Sequence, residues 1–286
     1  MKVIAYSLFG YNDITPKNCF DFHAYLRGVM INLRVNRLLF PTWKMFIALD
    51  APTYNGEYKP LFDKLSEQFG ILYSIQNESE PLCTKMLWRM LPVFKKKQND
   101  CAMFSHVLCR DLDAVGTYRE AQAVQEWIDE EHTLHCITDS ISHNIPMMGG
   151  MIGIHSESFW DRAGIRTWEE LHALTSKYNM AKKGADQKLL NNEIYPKVCH
   201  SATEHFVKGM NWNKPESDGR HYRIDEGYPI DLNADYKISN ASAGHIGAAG
   251  FYERELFTFL NQFDVHADEY KNIESDYKHI FFWANT

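Results

Sequence analysis

Two carboxylates stand two residues apart in the run HVLCRDLDAVGTYRE (106–120), where an apolar stretch breaks into Arg110-Asp111-Leu112-Asp113. Side chains alternate along extended backbone, so Asp111 and Asp113 are expected on one side. Two converging carboxylates repel each other unless a cation lies between them. An all-oxygen pair suits Mn²⁺ or Mg²⁺ better than zinc. A solvated Asp-x-Asp turn has the same sequence, but the position at the end of a buried strand weighs toward the metal.

Three other segments carry chemistry beside a plainer structural account. In GADQKLLNN (184–192), Gly184 frees a turn and Asp186 and Gln187 open a helix, where an aspartate also serves as a cap. In GGMIG (149–153), Gly149 and Gly150 let backbone approach a ligand closely, or simply turn the chain between strands. SAGHIGAAG (242–250) sets His245 among small residues, which leaves its imidazole room for a metal or a phosphate. The chain has no Walker loop, GxGxxG fingerprint, HExxH helix or GxSxG elbow. The commonest NTPase, dehydrogenase, zincin and hydrolase readings fall away with them.

The elements that must position these residues alternate. Apolar, β-rich runs at 2–8, 44–49, 71–75, 104–109, 134–138 and 151–155 read as strands. Helical spacing is expected over 20–39, 58–70, 83–97 (bent or ended by Pro92), 118–130, 168–178, 185–194 and 251–263. Residues 211–250 read as ordered loop around a ligand. The alternation predicts an α/β fold with a doubly wound, mostly parallel central sheet flanked by helices. Ligands of such sheets bind beyond the carboxyl ends of the strands, where Asp50, Asp111 and Asp113 all fall. With neither repeat nor linker, one domain is expected over 1–286, with halves at 1–115 and 116–286.

Composition narrows the class further. At 286 residues and 45% hydrophobic content the chain can bury a large core. Its net charge of −7 disfavours a tightly held nucleic acid, and the one dense basic run, Lys95-Lys96-Lys97, reads as a solvated helix end. Six scattered cysteines without a CxxC pair suit a reducing compartment. The start, MKVIAYSLFG, reads as a first strand rather than a signal peptide, and no run is long enough to span a membrane. A soluble, cytoplasmic protein is expected.

Taken in order, the segments resemble a nucleotide-sugar-dependent glycosyltransferase of the GT-A fold, and in architecture the family 8 group of retaining enzymes. LWRMLPVF followed by HVLCRDLDAV looks like that group's Arg-bearing helix leading into its DxD strand end. MMGGMIGIHSESFW resembles its Gly-rich acceptor-side strand, ADQKLLN its Asp-Gln-x-x-Leu-Asn helix start, and GHIG its late His-x-Gly metal motif. The likeness implies that Asp111, Asp113 and His245 hold Mn²⁺ (or Mg²⁺) against the diphosphate of a nucleoside diphosphate sugar, with UDP the expected nucleotide. It implies that Tyr6, Ser7, Leu8, Asp50 and Leu112 meet the nucleotide, and that Asp186 and Gln187 line the sugar. Asp139, grouped with those two for catalysis, and His143 are candidates for sugar or acceptor contacts, alongside Gly149 and Gly150. The Lys-Pro-Trp that usually follows the late histidine is replaced by Ala248-Ala249-Gly250-Phe251, so Lys85 or Arg89 is expected to supply the phosphate's counter-charge. The expected acceptor is a hydroxyl of a glycan, with a modified DNA base as the lesser choice. Two other classes stay open: a nucleotidyltransferase, and a glycan-binding descendant of the fold without catalysis.

Overall fold

The computed structural model describes residues 1–13, 19–138, 145–206, 220–223, 260, 264 and 266–281. Within it the sheet has eight strands: β1 Lys2–Leu8, β2 Trp43–Asp50, β3 Leu72–Gln76, β4 His106–Arg110, β5 Leu134–Thr138, β6 Met151–His155, β7 Ala202–Phe206 and β8 Arg220–Arg223. Their order is β3-β2-β1-β4-β6-β5-β7-β8. Every pairing is parallel except the two made by β6, which runs against β4 and β5. The expected α/β, mostly parallel sheet is present, with one reversed strand.

Period-two alternation in β1 divides the core. Val3 and Ala5 pack on one face with Trp88, Cys109, Ile152 and Leu189. Ile4, Tyr6 and Leu8 pack on the other, with the 21-residue helix α1 (Cys19–Leu39), α3 (Lys59–Phe69) and Trp127 of α5 (Tyr118–Asp129). Pro60 sits in the first turn of α3 and Gly70 ends it in the left-handed region at φ 67°, a conformation glycine adopts without a Cβ penalty.

Several elements depart from the sequence expectation. The helix expected over 83–97 is α4 (Leu82–Leu87) followed by a 3₁₀ run, Trp88–Phe94, in which Pro92 lacks the N–H that α-helical bonding needs. The helix expected over 168–178 is α7 (Trp168–Ala173) tightening into a 3₁₀ turn, Leu174–Lys177. That expected over 185–194 is α8 (Ala185–Leu189), then a π turn, Leu190–Ile194, then α9 (Tyr195–Val198). Unforeseen were the short α2 (Ala51–Asn55), α6 (Ser156–Ala163), β7, β8 and α10 (Ala267–Asp276). β8 lies inside the stretch expected to be loop. The helix expected over 251–263 falls outside the described residues except at Leu260. α10 docks on α1 through buried Arg34, which bonds Asp264 at 3.1 Å and Glu274 at 3.2 Å. Among the described residues no helix is long and apolar enough to cross a membrane.

Candidate functional site

Strand order locates a crevice. From β1 the chain passes through α1 to β2 on one side, whereas β3 returns through α4 to β4 on β1's other side. Connections that leave neighbouring strands in opposite directions open a cleft at their carboxyl ends. Leu8 and Arg110 end those two strands, so Phe9, Gly10 and Asp111 rim it. Because β6 is reversed, with Met151 opposite Arg110, its entry turn carries Gly149 and Gly150 to the same rim.

At this rim Arg89 of the 3₁₀ run is 3% exposed and pairs with Asp111 Oδ1. Its Nη2 stands 3.7 Å from Asp186 Oδ2. Burial alone would favour the neutral guanidine, but the charges of Asp111 and Asp186 outweigh it and raise the pKa of Arg89, which stays cationic. Asp186 is 1% exposed, and neither of its oxygens has a hydrogen-bond partner among the described residues. It does not cap α8, whose N-cap is Gly184 with no side-chain bond. A buried carboxylate with an ionic neighbour but no hydrogen bond is costly in a finished core. Gln187, next along α8, is half-buried.

Gly149 and Gly150 are tight against these charges. A Cβ on Gly149 would lie 2.7 Å from Arg89 Nη2, and one on Gly150 would lie 1.9 Å from Asp111 Oδ2. Lys85, one helical turn before Arg89 and also buried, lies 3.5 Å from Asp50 and over the rings of Phe9 and Trp88. The two cations thus lie one turn apart, Lys85 at the end of β2 and Arg89 at the end of β4.

Some expected contacts point elsewhere. Asp50 is 2% exposed and occupied: Oδ1 accepts from Thr53 N at 3.0 Å and Oδ2 from Gly10 N at 3.1 Å, tying the tips of β1 and β2 together. Tyr6, Leu8 and Leu112 are buried on the α1 face, so only their backbone is left to meet a ligand. Tyr6 accepts a bond from Asn36, and burial pushes its phenol well above the ordinary range. Ser7 lies on the Arg89 face, and its Oγ is buried without a partner among the described residues. Asp139, His143 and His245 lie outside the described residues.

A support beneath the Asp111–Asp113 turn escaped the sequence reading. Asn32 of α1 donates to Leu112 O at 3.1 Å and to Gly28 O at 3.0 Å. Arg110 pairs with Glu120, both buried, and donates to Cys109 O and Ile152 O. Nothing in the sequence marks these roles, because an Asn in a helix and an Arg–Glu pair ten residues apart are ordinary. Cys109 at the same strand end is no nucleophile: burial pushes its thiol up to about 12.

Asp113 is held up at about 6, first by burial and then by the negative charge of Asp111. That repulsion is what a divalent cation would relieve, and the oxygen-only pair fits Mn²⁺ or Mg²⁺. Among the described residues no third His, Cys, Asp or Glu joins them.

Fold and site together define an α/β protein with a charged crevice at its topological switch point. No protein-family model matches the chain, and no curated protein sequence matches it. Among solved structures it is similar to the glycosyltransferase GlyE of Streptococcus pneumoniae TIGR4, at 12% identity and TM-score 0.42, over 71% of this chain and 44% of that one. It is similar to S. aureus TarS 1–349 at 12% identity and TM-score 0.41, over 71% and 58% of the two chains. A protein of Desulfovibrio desulfuricans G20, assigned as a nucleotide-diphospho-sugar transferase, matches over 93% of this chain and 100% of its own, at 15% identity and TM-score 0.44. The chain spans about half the length of the first two.

Proposed function

We propose that the chain is a metal-dependent glycosyltransferase that moves a sugar from a nucleoside diphosphate sugar, by our reading a UDP-sugar, to an acceptor hydroxyl of a glycan. The observation that carries it is one assembly at the switch point: buried Lys85 and Arg89, the Asp111 and Asp113 pair, and Asp186 with neither oxygen hydrogen-bonded among the described residues. Cations facing carboxylates across a crevice suit a substrate that is anionic at one end and becomes cationic at the other. The order of the four sequence motifs supports the likeness to family 8.

In this reading Lys85 and Arg89 offset the diphosphate's charge, which grows as the glycosidic bond breaks. Asp111 and Asp113, with His245, would hold Mn²⁺ or Mg²⁺, which acts when bound as a Lewis acid toward the leaving diphosphate. Asp186 faces the sugar and stabilises the positive charge that develops on its ring, with Gln187 beside it. The glycine backbone at 149–150 closes against the sugar, and Asp139 and His143 attend the sugar or the acceptor. Backbone at the tip of β1 and at Leu112 meets the nucleotide. Asp50 acts by holding that tip. The net charge of −7 counts against a DNA acceptor.

A thermal-shift panel of UDP-, GDP- and other sugar nucleotides, each with and without Mn²⁺, tests the proposal. Saturation about a hundredfold above Kd adds about 2.7 kcal/mol, a shift of several degrees. We expect that shift for one nucleotide class and only with metal. No shift anywhere in the panel overturns the proposal.

A further inference from the structure

One wall of the crevice is plain backbone, the turn that enters β6. Gly149 and Gly150 pass so close to Arg89, Asp186 and Asp111 that the position of this backbone decides where those three charges can sit. Among the described residues none of those charged groups hydrogen-bonds to it. The side chain of Asn191 does. Its Oδ1 accepts from Met147 N at 3.0 Å, and its Nδ2 donates to Met147 O at 2.9 Å and to Gln187 O at 2.8 Å. Both amide N–H bonds and the carbonyl oxygen are therefore committed to backbone.

The local geometry behind this is unusual. Asn191 lies in the π turn Leu190–Ile194, between α8 and α9. Such wide turns inside helical runs recur at functional sites, because they displace a side chain from the regular helical rows. Asp186 opens the same run. One amide thus joins the helix that presents Asp186 to the wall that packs on Arg89 and Asp111. Met147 is fully buried, so water cannot readily replace the lost bonds at its N–H and C=O.

We propose that Asn191 is a positioning residue: it locks the Met147–Gly150 wall to the Asp186 helix and so sets the sugar half of the crevice without touching substrate. The proposal rests on the glycosyl-transfer reading of the same site.

The test compares the wild type with Asn191→Ala and with the near-isosteric Asn191→Asp, which keeps an acceptor for Met147 N but faces Met147 O with a second oxygen. Calorimetry measures UDP, and the UDP-sugar giving the largest thermal shift, each with Mn²⁺. Hydrogen exchange follows the amides of Met147–Gly150. Affinity for UDP should stay within about twofold, while the extra affinity conferred by the sugar falls about tenfold or more in both variants. Exchange should quicken about tenfold or more at Met147–Gly150 and stay unchanged in β1 and β4. Equal losses for UDP and UDP-sugar, or no loss for either, overturn the proposal, since a merely structural residue would not single out the sugar. A wild type that binds no nucleotide sinks the glycosyl-transfer reading instead. Exchange then decides alone: selective quickening upholds the lock, and unchanged exchange at Met147–Gly150 refutes it.

Discussion

Gly150→Ala adds one methyl group where the entry to β6 crosses Asp111. The new Cβ would lie 1.9 Å from Oδ2 and 2.5 Å from Cγ of that carboxylate. Ordinary contact begins at 3.4 Å, so the oxygen must retreat by about 1.5 Å. Gly150 is not among the glycines with positive φ, so alanine suits the backbone and the whole penalty falls on the contact. The Asp111 side chain is 46% exposed and has room to swing into solvent, which breaks its pair with buried Arg89. Arg89 keeps Asp186 nearby, so the fold should lose only about 1–2 kcal/mol, less than when a fully buried pair is broken. Ligand binding should suffer far more. With Asp111 displaced, affinity for UDP with Mn²⁺ should fall about a hundredfold or more. Calorimetry reads the second effect and urea unfolding the first. Gly164→Ala is the control: its φ of +67° costs about 1 kcal/mol of strain, and with no atom within 4 Å its binding should be unchanged. Wild-type affinity in Gly150→Ala would refute the placement of the ligand at Asp111. A stability loss above about 4 kcal/mol would mean that backbone, not carboxylate, had moved.

Asp113→Asn should stabilise the metal-free protein at neutral pH. A folded-state pKa raised from 3.8 to about 6 gives stability that is complete below the unfolded value and lost as pH rises through 6, so in EDTA the variant's advantage should be absent below pH 4 and reach about 1–3 kcal/mol above pH 6. A variant less stable than wild type at pH 7.5 would contradict this. Asp186→Asn should leave nucleotide affinity intact and cut turnover about a hundredfold, the scale of one lost transition-state contact; equal losses in both would make Asp186 structural. Acid should unfold the β4–β7 side early. Burial lowers the pKa of His106 to about 4 and lowers those of His135, His155 and His205 as well, so the unfolded chain takes up more protons as pH falls below 6.5. Chemical unfolding followed from pH 7 to 4.5 should show the loss, and His106→Gln should soften it. A flat profile would exclude it.

The legible strands are β1 to β6, each a short apolar, β-rich run bounded by turn or polar residues. β7 was hidden by its composition. Its sequence ATEHF reads as polar, yet Glu204 meets the Tyr195 hydroxyl at 2.6 Å and His205 meets His135 at 2.9 Å. Polar residues become core residues once distant partners satisfy them, and no local pattern announces those partners. α10 was missed for a related reason, since its Glu274 is held by Arg34 of α1, 240 positions away along the chain.

By itself the sequence determined where chemistry was possible: a strand followed by Asp111 and Asp113, a glycine pair before another strand, and Asp186 at a helix start. Residue type and spacing suffice for that, because they dictate local backbone and charge. Only the tertiary structure decided which of these meet. The reversal of β6 brings Gly149 and Gly150 against Asp111 and Arg89. Period-two alternation in a sheet covered on both faces turns Tyr6 and Leu8 into core and leaves Ser7 on the Arg89 face. The same assembly commits Asp50 to backbone and leaves Asp186 without a hydrogen bond among the described residues. Whether a buried carboxylate is a cap, a tie or a waiting partner depends on atoms scores of residues away, and chain folding alone brings those within bonding distance.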